Sequence, residues 1–261
     1  MPTVVPGTDI RTSRIGFGTA SLHHLFSRRH RLALLDEALS GGITHFDTSP
    51  FYGFGLAEQD LGAFLQGRRD RVTLATKIGL YPLGPAAGSA AGVWARKAGG
   101  RIVPALSHPV GDWSPARARR SLDHSLRRLR TDHVDLLLVH EPPASLIGDS
   151  SLHDWLEGER RAGRIRAHGI AGTADRCAPL VAAGDPLARM VQTADRLDRR
   201  DADFLTDAGR DLQITYGYLK AMIDGDAERT LRAALDRNAQ GIVLVSTRSR
   251  ERLRSLARIA A

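Results

Sequence analysis

A single cysteine, Cys177, in 261 residues excludes an intramolecular disulfide and with it the cross-linked scaffold of a small secreted domain. A reducing cytoplasm is the expected compartment. No apolar run approaches the roughly 20 residues that span a bilayer. The N-terminus, Met1-Pro2-Thr3-Val4-Val5-Pro6, lacks a basic region followed by a long apolar one, so neither export nor membrane insertion is expected. Aromatics are sparse at 5%, and lysine is sparser still: Lys77, Lys97 and Lys220 stand among 37 basic residues. The net charge of +8 is therefore nearly all arginine. Those arginines are scattered over helical stretches with no aromatic platform beside them, which argues against a nucleic-acid partner. In such a chain, a lysine at the end of an apolar strand stands out against the composition.

What the chain has is an alternation of apolar runs of strand length with stretches of helical period. Eight rounds are countable, with strands expected at 14–20, 44–49, 72–78, 133–140, 166–172, 190–194, 212–216 and 241–247. Helices are expected to start near Arg28, Ala57, Ser114, Ser151, Ala174, Arg200, Asp226 and Arg250. Eight strands each followed by a helix is the count that closes a (β/α)8 TIM barrel, and 261 residues suit one domain spanning 1–261. Ser114 as N-cap, Pro115 in the first turn and Leu122, Leu126 and Leu129 at helical spacing define one such helix. Before the first barrel strand, Pro6-Gly7-Thr8-Asp9 reads as the turn of a short β-hairpin that closes the barrel floor. Residues 80–113, rich in glycine, alanine and proline, form the one long irregular stretch, on the active-site side of the third strand.

Barrel strands point polar residues at their C-terminal ends toward the face where such enzymes hold their sites. Three consecutive strands end that way, in Asp47, Lys77 and His140. Neighbouring strands lie about 4.8 Å apart, which brings these ends together. Asp47 and Lys77 can pair, and Tyr52 follows just beyond the second strand. A nearby ammonium lowers a tyrosine's pKa from about 10 by stabilising the phenolate, which suits Tyr52 to general-acid work. His140 can hydrogen-bond a carbonyl and turn it toward Tyr52, leaving the carbon open to a hydride. Each residue alone has a structural explanation, as an ion pair, a strand cap or loop packing.

The runs Phe46-Asp47-Thr48-Ser49-Pro50-Phe51-Tyr52-Gly53 with Glu58 and Leu61-Gly62, then Ala75-Thr76-Lys77, then 134–140 ending in His140, resemble the aldo-keto reductase family in type, order and spacing. The likeness runs from Gly16-Phe17-Gly18-Thr19 to the 243–253 segment. It implies an NAD(P)H-dependent oxidoreductase interconverting an aldehyde, ketone or sugar lactol with its alcohol or lactone. Tyr52 would be the general acid/base, Lys77 and Asp47 its tuning pair, and His140 the carbonyl-orienting group. The resemblance also implies an extended cofactor, with Gly18 and Thr19 beside it, Gln192 on the carboxamide and Tyr216 stacked on the nicotinamide. Ser246, Thr247, Arg248 and Arg252 lie where the eighth strand meets the last helix, and can converge on a 2′-phosphate. NADP(H) is therefore the expected cofactor, with NAD(H) the alternative.

Two departures stand out. Ala171-Gly172 occupies the fifth strand's end, where the family usually has a serine and an asparagine for the carboxamide. Leu256 replaces an asparagine that faces the adenine in many members, and the C-terminal tail is expected to be truncated, leaving the pocket open on that side. Candidate substrate contacts are His23, Phe51, Phe54, Trp94, Trp113 and Tyr218. The expected partner is a small carbonyl or sugar, and the expected state a monomer or weak homo-oligomer.

Three alternatives were weighed. Tyr216 and Lys220 have the four-residue spacing of a short-chain dehydrogenase, but Gly217 and the strand pattern oppose a helix there. His23, His24, His45 and His140 lack the His-x-His pair of a metal-dependent hydrolase, so no metal is expected. A cofactor-binding regulatory or interaction protein on the same barrel is the rival from another class.

Overall fold

The computed structural model describes residues 2–84, 86–101 and 107–259. Eight parallel strands close into a barrel: β1 (Ile15–Gly18), β2 (His45–Asp47), β3 (Thr73–Ile78), β4 (Val134–His140), β5 (Ile165–Gly172), β6 (Val191–Ala194), β7 (Ile214–Tyr216) and β8 (Ile242–Val245). Each pairs with the next, and β8 returns to β1 through Val243–Ile15, Leu244–Gly16 and Val245–Phe17. All eight expected strands are present, most of them shorter than the apolar runs that announce them.

The helices are α1 (Arg28–Ser40), α2 (Leu56–Phe64), α3 (Ala90–Gly99), α4 (Pro115–Leu129), α5 (Ser150–Arg161), α6 (Ala174–Ala182), α7 (Asp203–Asp207), α8 (Ala227–Arg237) and α9 (Arg250–Ile259). In α4 the Ser114 hydroxyl accepts from the Arg117 N–H, Pro115 opens the first turn, and Leu122, Leu126 and Leu129 are buried, as their spacing predicts. The helix expected near Arg200 is the five-residue α7. No helix among the described residues is long and apolar enough to cross a membrane.

The irregular stretch expected at 80–113 is ordered over most of its length. Leu80–Pro82 pairs antiparallel with Pro109–Gly111, and α3 lies between them. Composition hid this helix because alanine and glycine give no apolar stripe. It is fixed instead by the Ser89 hydroxyl, which accepts from Gly92 N–H at 3.2 Å, and by the burial of Ala90 and Val93. Residues 85 and 102–106 of the stretch lie outside the described residues.

The period-two alternation of the strands builds two cores. Outward residues such as Phe17, Phe46, Leu74, Leu137 and Val243 pack under the helices. Inward residues Ala75, Leu136, Leu138, Ile214, Ile242 and Leu244 fill the barrel, together with Val5 and Ile10. Those last two flank the turn of the expected hairpin, in which Pro2–Val4 pairs with Arg11–Ser13, so the hairpin plugs the barrel from the strands' N-terminal end. The C-terminal end is left to polar residues.

Candidate active site

On β2 and β3 the alternation that turns Phe46 and Leu74 outward turns Asp47 and Lys77 inward. Lys77 Nζ donates to Asp47 Oδ1 at 2.7 Å and Oδ2 at 2.6 Å, and to the Thr48 carbonyl at 2.9 Å. All three ammonium protons are thereby accepted, which a lysine 1% exposed requires. Burial lowers the Lys77 pKa and Asp47 opposes the fall.

Past β2 the chain turns through Tyr52–Gly55, with Gly53, Phe54 and Gly55 all at positive φ. The turn carries the Tyr52 ring to 4.9 Å from Lys77 Nζ and sets it perpendicular to the His140 imidazole, centroids 6.2 Å apart. The four residues expected to meet do meet. The electrostatics differ from expectation, because Tyr52 is pushed well above 10, by burial first and then by the charges of Asp47 and Glu141. Burial sets the shift, and the ion pair does not reverse it: the ammonium spends its protons on Asp47 and Thr48, and the carboxylate offsets its charge at the phenol. His140 is held down to about 3 by burial and by Lys77, so its ring is neutral, and its Nδ1 is buried without a hydrogen-bond partner.

These groups line one end of a cavity of about 690 Å³ at the mouth of the barrel. Gly18, Gln192, Tyr216, Ser246, Thr247, Arg248 and Arg252 line the rest, as expected. Gln192 is 2% exposed and its Oε1 is buried without a partner. Along the final turn of the chain the arginines divide: Arg250 and Arg254 both clasp Glu37, whereas Arg248 and Arg252 line the cavity with no ion-pair partner among the described residues. A donor-rich, anion-seeking wall at one end and an orphaned amide oxygen near the other fit the phosphates and the carboxamide of a nicotinamide dinucleotide.

Seven residues expected at the cavity stand outside its lining. Thr19 is fully buried and donates to the Asp47 carbonyl at 3.0 Å. His23 is buried against Lys97 Nζ at 2.7 Å, and burial with this neighbour holds it down to about 4. Phe51 packs edge-on against Phe54. Trp94 is 47% exposed on α3. Trp113 donates Nε1–H to the His140 carbonyl at 3.0 Å, fixing the strand end rather than touching the cavity. Tyr218 donates to the buried Asp195 carboxylate at 2.6 Å. Phe54 is likewise buried, beneath the Arg96 guanidinium at 4.8 Å. Leu256 lies in the outer core rather than at the mouth.

Sequence reasoning missed Ser21, His24, Leu219 and Lys220, all of which line the cavity. Ser21 Oγ meets Ser246 Oγ at 2.8 Å. Lysine scarcity was a signal for Lys220: Lys77 and Lys220 line the cavity, and Lys97 holds the histidine beside it.

A closed eight-stranded parallel barrel carries Asp47, Tyr52, Lys77 and His140 at its mouth, and the chain belongs to the aldo/keto reductase family, whose model matches residues 14–180. It is 30% identical to the D-threo-aldose 1-dehydrogenase of a Pseudomonas species over 245 residues, 89% of this chain and 64% of that enzyme. It spans about half the length of other curated relatives that it matches. Among solved structures it is similar to a Pseudomonas aeruginosa protein assigned to the aldo-keto reductases, with a TM-score of 0.76 at 23% identity over 99% of this chain and 93% of that one. It is also similar to a Klebsiella pneumoniae aldo-keto reductase in complex with NADPH, with a TM-score of 0.67 at 19% identity over 99% of this chain and 89% of that one.

Proposed function

We propose that this protein interconverts a carbonyl, as aldehyde, ketone or sugar lactone, with its alcohol or lactol, using NADP(H) in preference to NAD(H). The observation that carries the reading is the convergence of Tyr52, the Lys77–Asp47 pair and a neutral His140 at one end of a cavity whose other end holds Arg248 and Arg252. Gln192 and Tyr216 would hold the nicotinamide, and Ser246, Thr247, Arg248 and Arg252 the 2′-phosphate. The bound cofactor supplies or accepts the hydride. His140 orients the carbonyl oxygen, and Tyr52 delivers its proton to that oxygen, or takes it back in the reverse direction. Asp47 keeps Lys77 in place and charged inside the barrel. The aldose dehydrogenase named among the relatives, and the bound NADPH of the Klebsiella neighbour, support a sugar-like carbonyl and NADP(H).

Fluorescence titration with NADPH and NADH is the direct test, followed by turnover of a panel of aldehydes and aldoses. Tight NADPH binding with turnover, and a Tyr52→Phe variant that binds NADPH but does not turn over, is the expected result. Binding without turnover across the panel would move the protein to the regulatory class. An NADH preference would overturn the 2′-phosphate site.

A further inference from the structure

One residue next to the cavity lining takes a strained backbone. Glu141 follows His140 directly and sits at φ +47°, in the left-handed region that a branched or charged side chain rarely adopts. Its N–H donates to the Ala171 carbonyl at 2.7 Å, which ties the turn to the end of β5. The turn lays the half-buried carboxylate against Gly172, so that a Cβ at that glycine would stand 2.9 Å from Glu141 Oε2. The contacts holding Oε2 are long: Thr173 N–H and Thr173 Oγ1, both at 3.4 Å. Acceptor capacity is therefore left over.

The strand register sets what stands beside it. His140 pairs with Ala171 across β4 and β5, and Ala171 pairs with Gln192 across β5 and β6. In this row β5 offers only the Ala171 methyl group between His140 and Gln192; one residue further on it offers the bare Gly172, which lines the cavity and has the Glu141 carboxylate against it. Gln192 Oε1 is buried and unpartnered. Glu141 is also close enough for its charge to raise the pKa values of both Tyr52 and Tyr216. A ligand suited to this wall brings hydrogen-bond donors, and its best complement carries positive charge as well.

We propose that Glu141 accepts a hydrogen bond from the nicotinamide carboxamide, sharing that group with Gln192, and sets a carboxylate beside the ring. This rests on the reading that the cavity takes a nicotinamide dinucleotide. The charge has a consequence of its own. The oxidised ring is a cation and the reduced ring is neutral, so a carboxylate there stabilises the oxidised form and makes the bound couple more strongly reducing. The arrangement favours carbonyl reduction over alcohol oxidation.

The test is a set of binding constants, independent of turnover. NADP+, NADPH and 2′,5′-ADP, which lacks the nicotinamide, are titrated by calorimetry at pH 8 into wild type, Glu141→Gln and Gly172→Ala. The glutamine keeps shape and removes charge. The alanine methyl displaces the flexible end of Glu141 while the charge stays in the protein. The expected result is that each variant loses about ten-fold of its NADP+ affinity relative to NADPH, with 2′,5′-ADP unchanged. A steric effect alone would weaken both redox forms alike. Equal changes for NADP+ and NADPH, or no change in either, in Glu141→Gln would overturn the proposal and leave the functional reading intact. Wild type that binds none of the three probes would overturn the functional reading, and this assignment with it.

Discussion

At the scale of single residues, the site separates which groups hold charge from which hold protons. Lys77 and Asp47 form a charged pair closed on itself, and the two groups proposed to face the carbonyl, Tyr52 and His140, are neutral near pH 7. This gives a pH dependence with a definite sign. Tyr52 is raised above 10, so it stays protonated through pH 9 and the kcat/KM for carbonyl reduction should be flat from pH 6 to 9. Alcohol oxidation needs the phenolate and should climb across the same range, approaching about ten-fold per pH unit. His140, held down to about 3, should add no break near 6.5. A break near 6.5 in the reduction profile that vanishes in His140→Asn would sink the neutral-imidazole assignment. The residues themselves were legible, because Asp47, Lys77 and His140 each end an otherwise apolar strand. Their proton affinities were not, since these depend first on burial in the folded barrel and then on partners such as the Thr48 carbonyl, which leaves no mark in the sequence.

At the scale of elements, the order of the barrel was readable and its local inserts were not. Strand and helix alternate with periods that the apolar residues display directly, which is why all eight strands and the hairpin plug are found where expected. The α3 excursion depends on one serine cap and two small buried residues, too little periodicity to register, whereas the helix expected near Arg200 is present as the five-residue α7. The same limit explains Trp94 and Trp113, expected on a loop at the top face but held by α3 and its flanking hairpin, and His23, which Lys97 of α3 holds away from the cavity. One contact between elements makes a sharp prediction. Gly62 on α2 lies so close to the Arg128 carbonyl on α4 that a Cβ there would overlap backbone, and Glu58 one turn earlier bridges Thr76 on β3 and the Arg128 guanidinium. Gly62→Ala must push two helices apart, and should cost about 3 kcal/mol or more in urea unfolding, beyond a typical overpacked core site. A loss under about 0.5 kcal/mol, the size of an ordinary surface substitution, would show that the two helices do not meet so tightly.

At the scale of the whole molecule, a net charge of +8 surrounds a cavity whose expected ligand carries several negative charges. Several of the arginines are committed to carboxylates elsewhere. Arg31 and Arg28 hold Asp60, Arg69 and Arg166 hold Asp135, Arg237 holds Asp195 and Asp203, and Arg250 and Arg254 hold Glu37. Arg248 and Arg252 are exposed at the cavity and have no such partner among the described residues, so their guanidinium groups are placed to meet an anion there. If they hold the 2′-phosphate, affinity for NADPH should fall with rising salt more steeply than affinity for NADH, because the shared pyrophosphate contributes equally to both. Removing the pair should isolate the same increment. Arg248→Ala with Arg252→Ala is expected to weaken NADPH binding about 100-fold, in line with losing two charge-assisted contacts of roughly 1.5 kcal/mol each, and to leave NADH binding within about two-fold. Their exposure makes loss of folding an unsuitable explanation for such a change. Equal weakening of both cofactors would place the arginines on the pyrophosphate, and no weakening of either would return them to the solvated surface that an arginine-rich chain supplies in abundance.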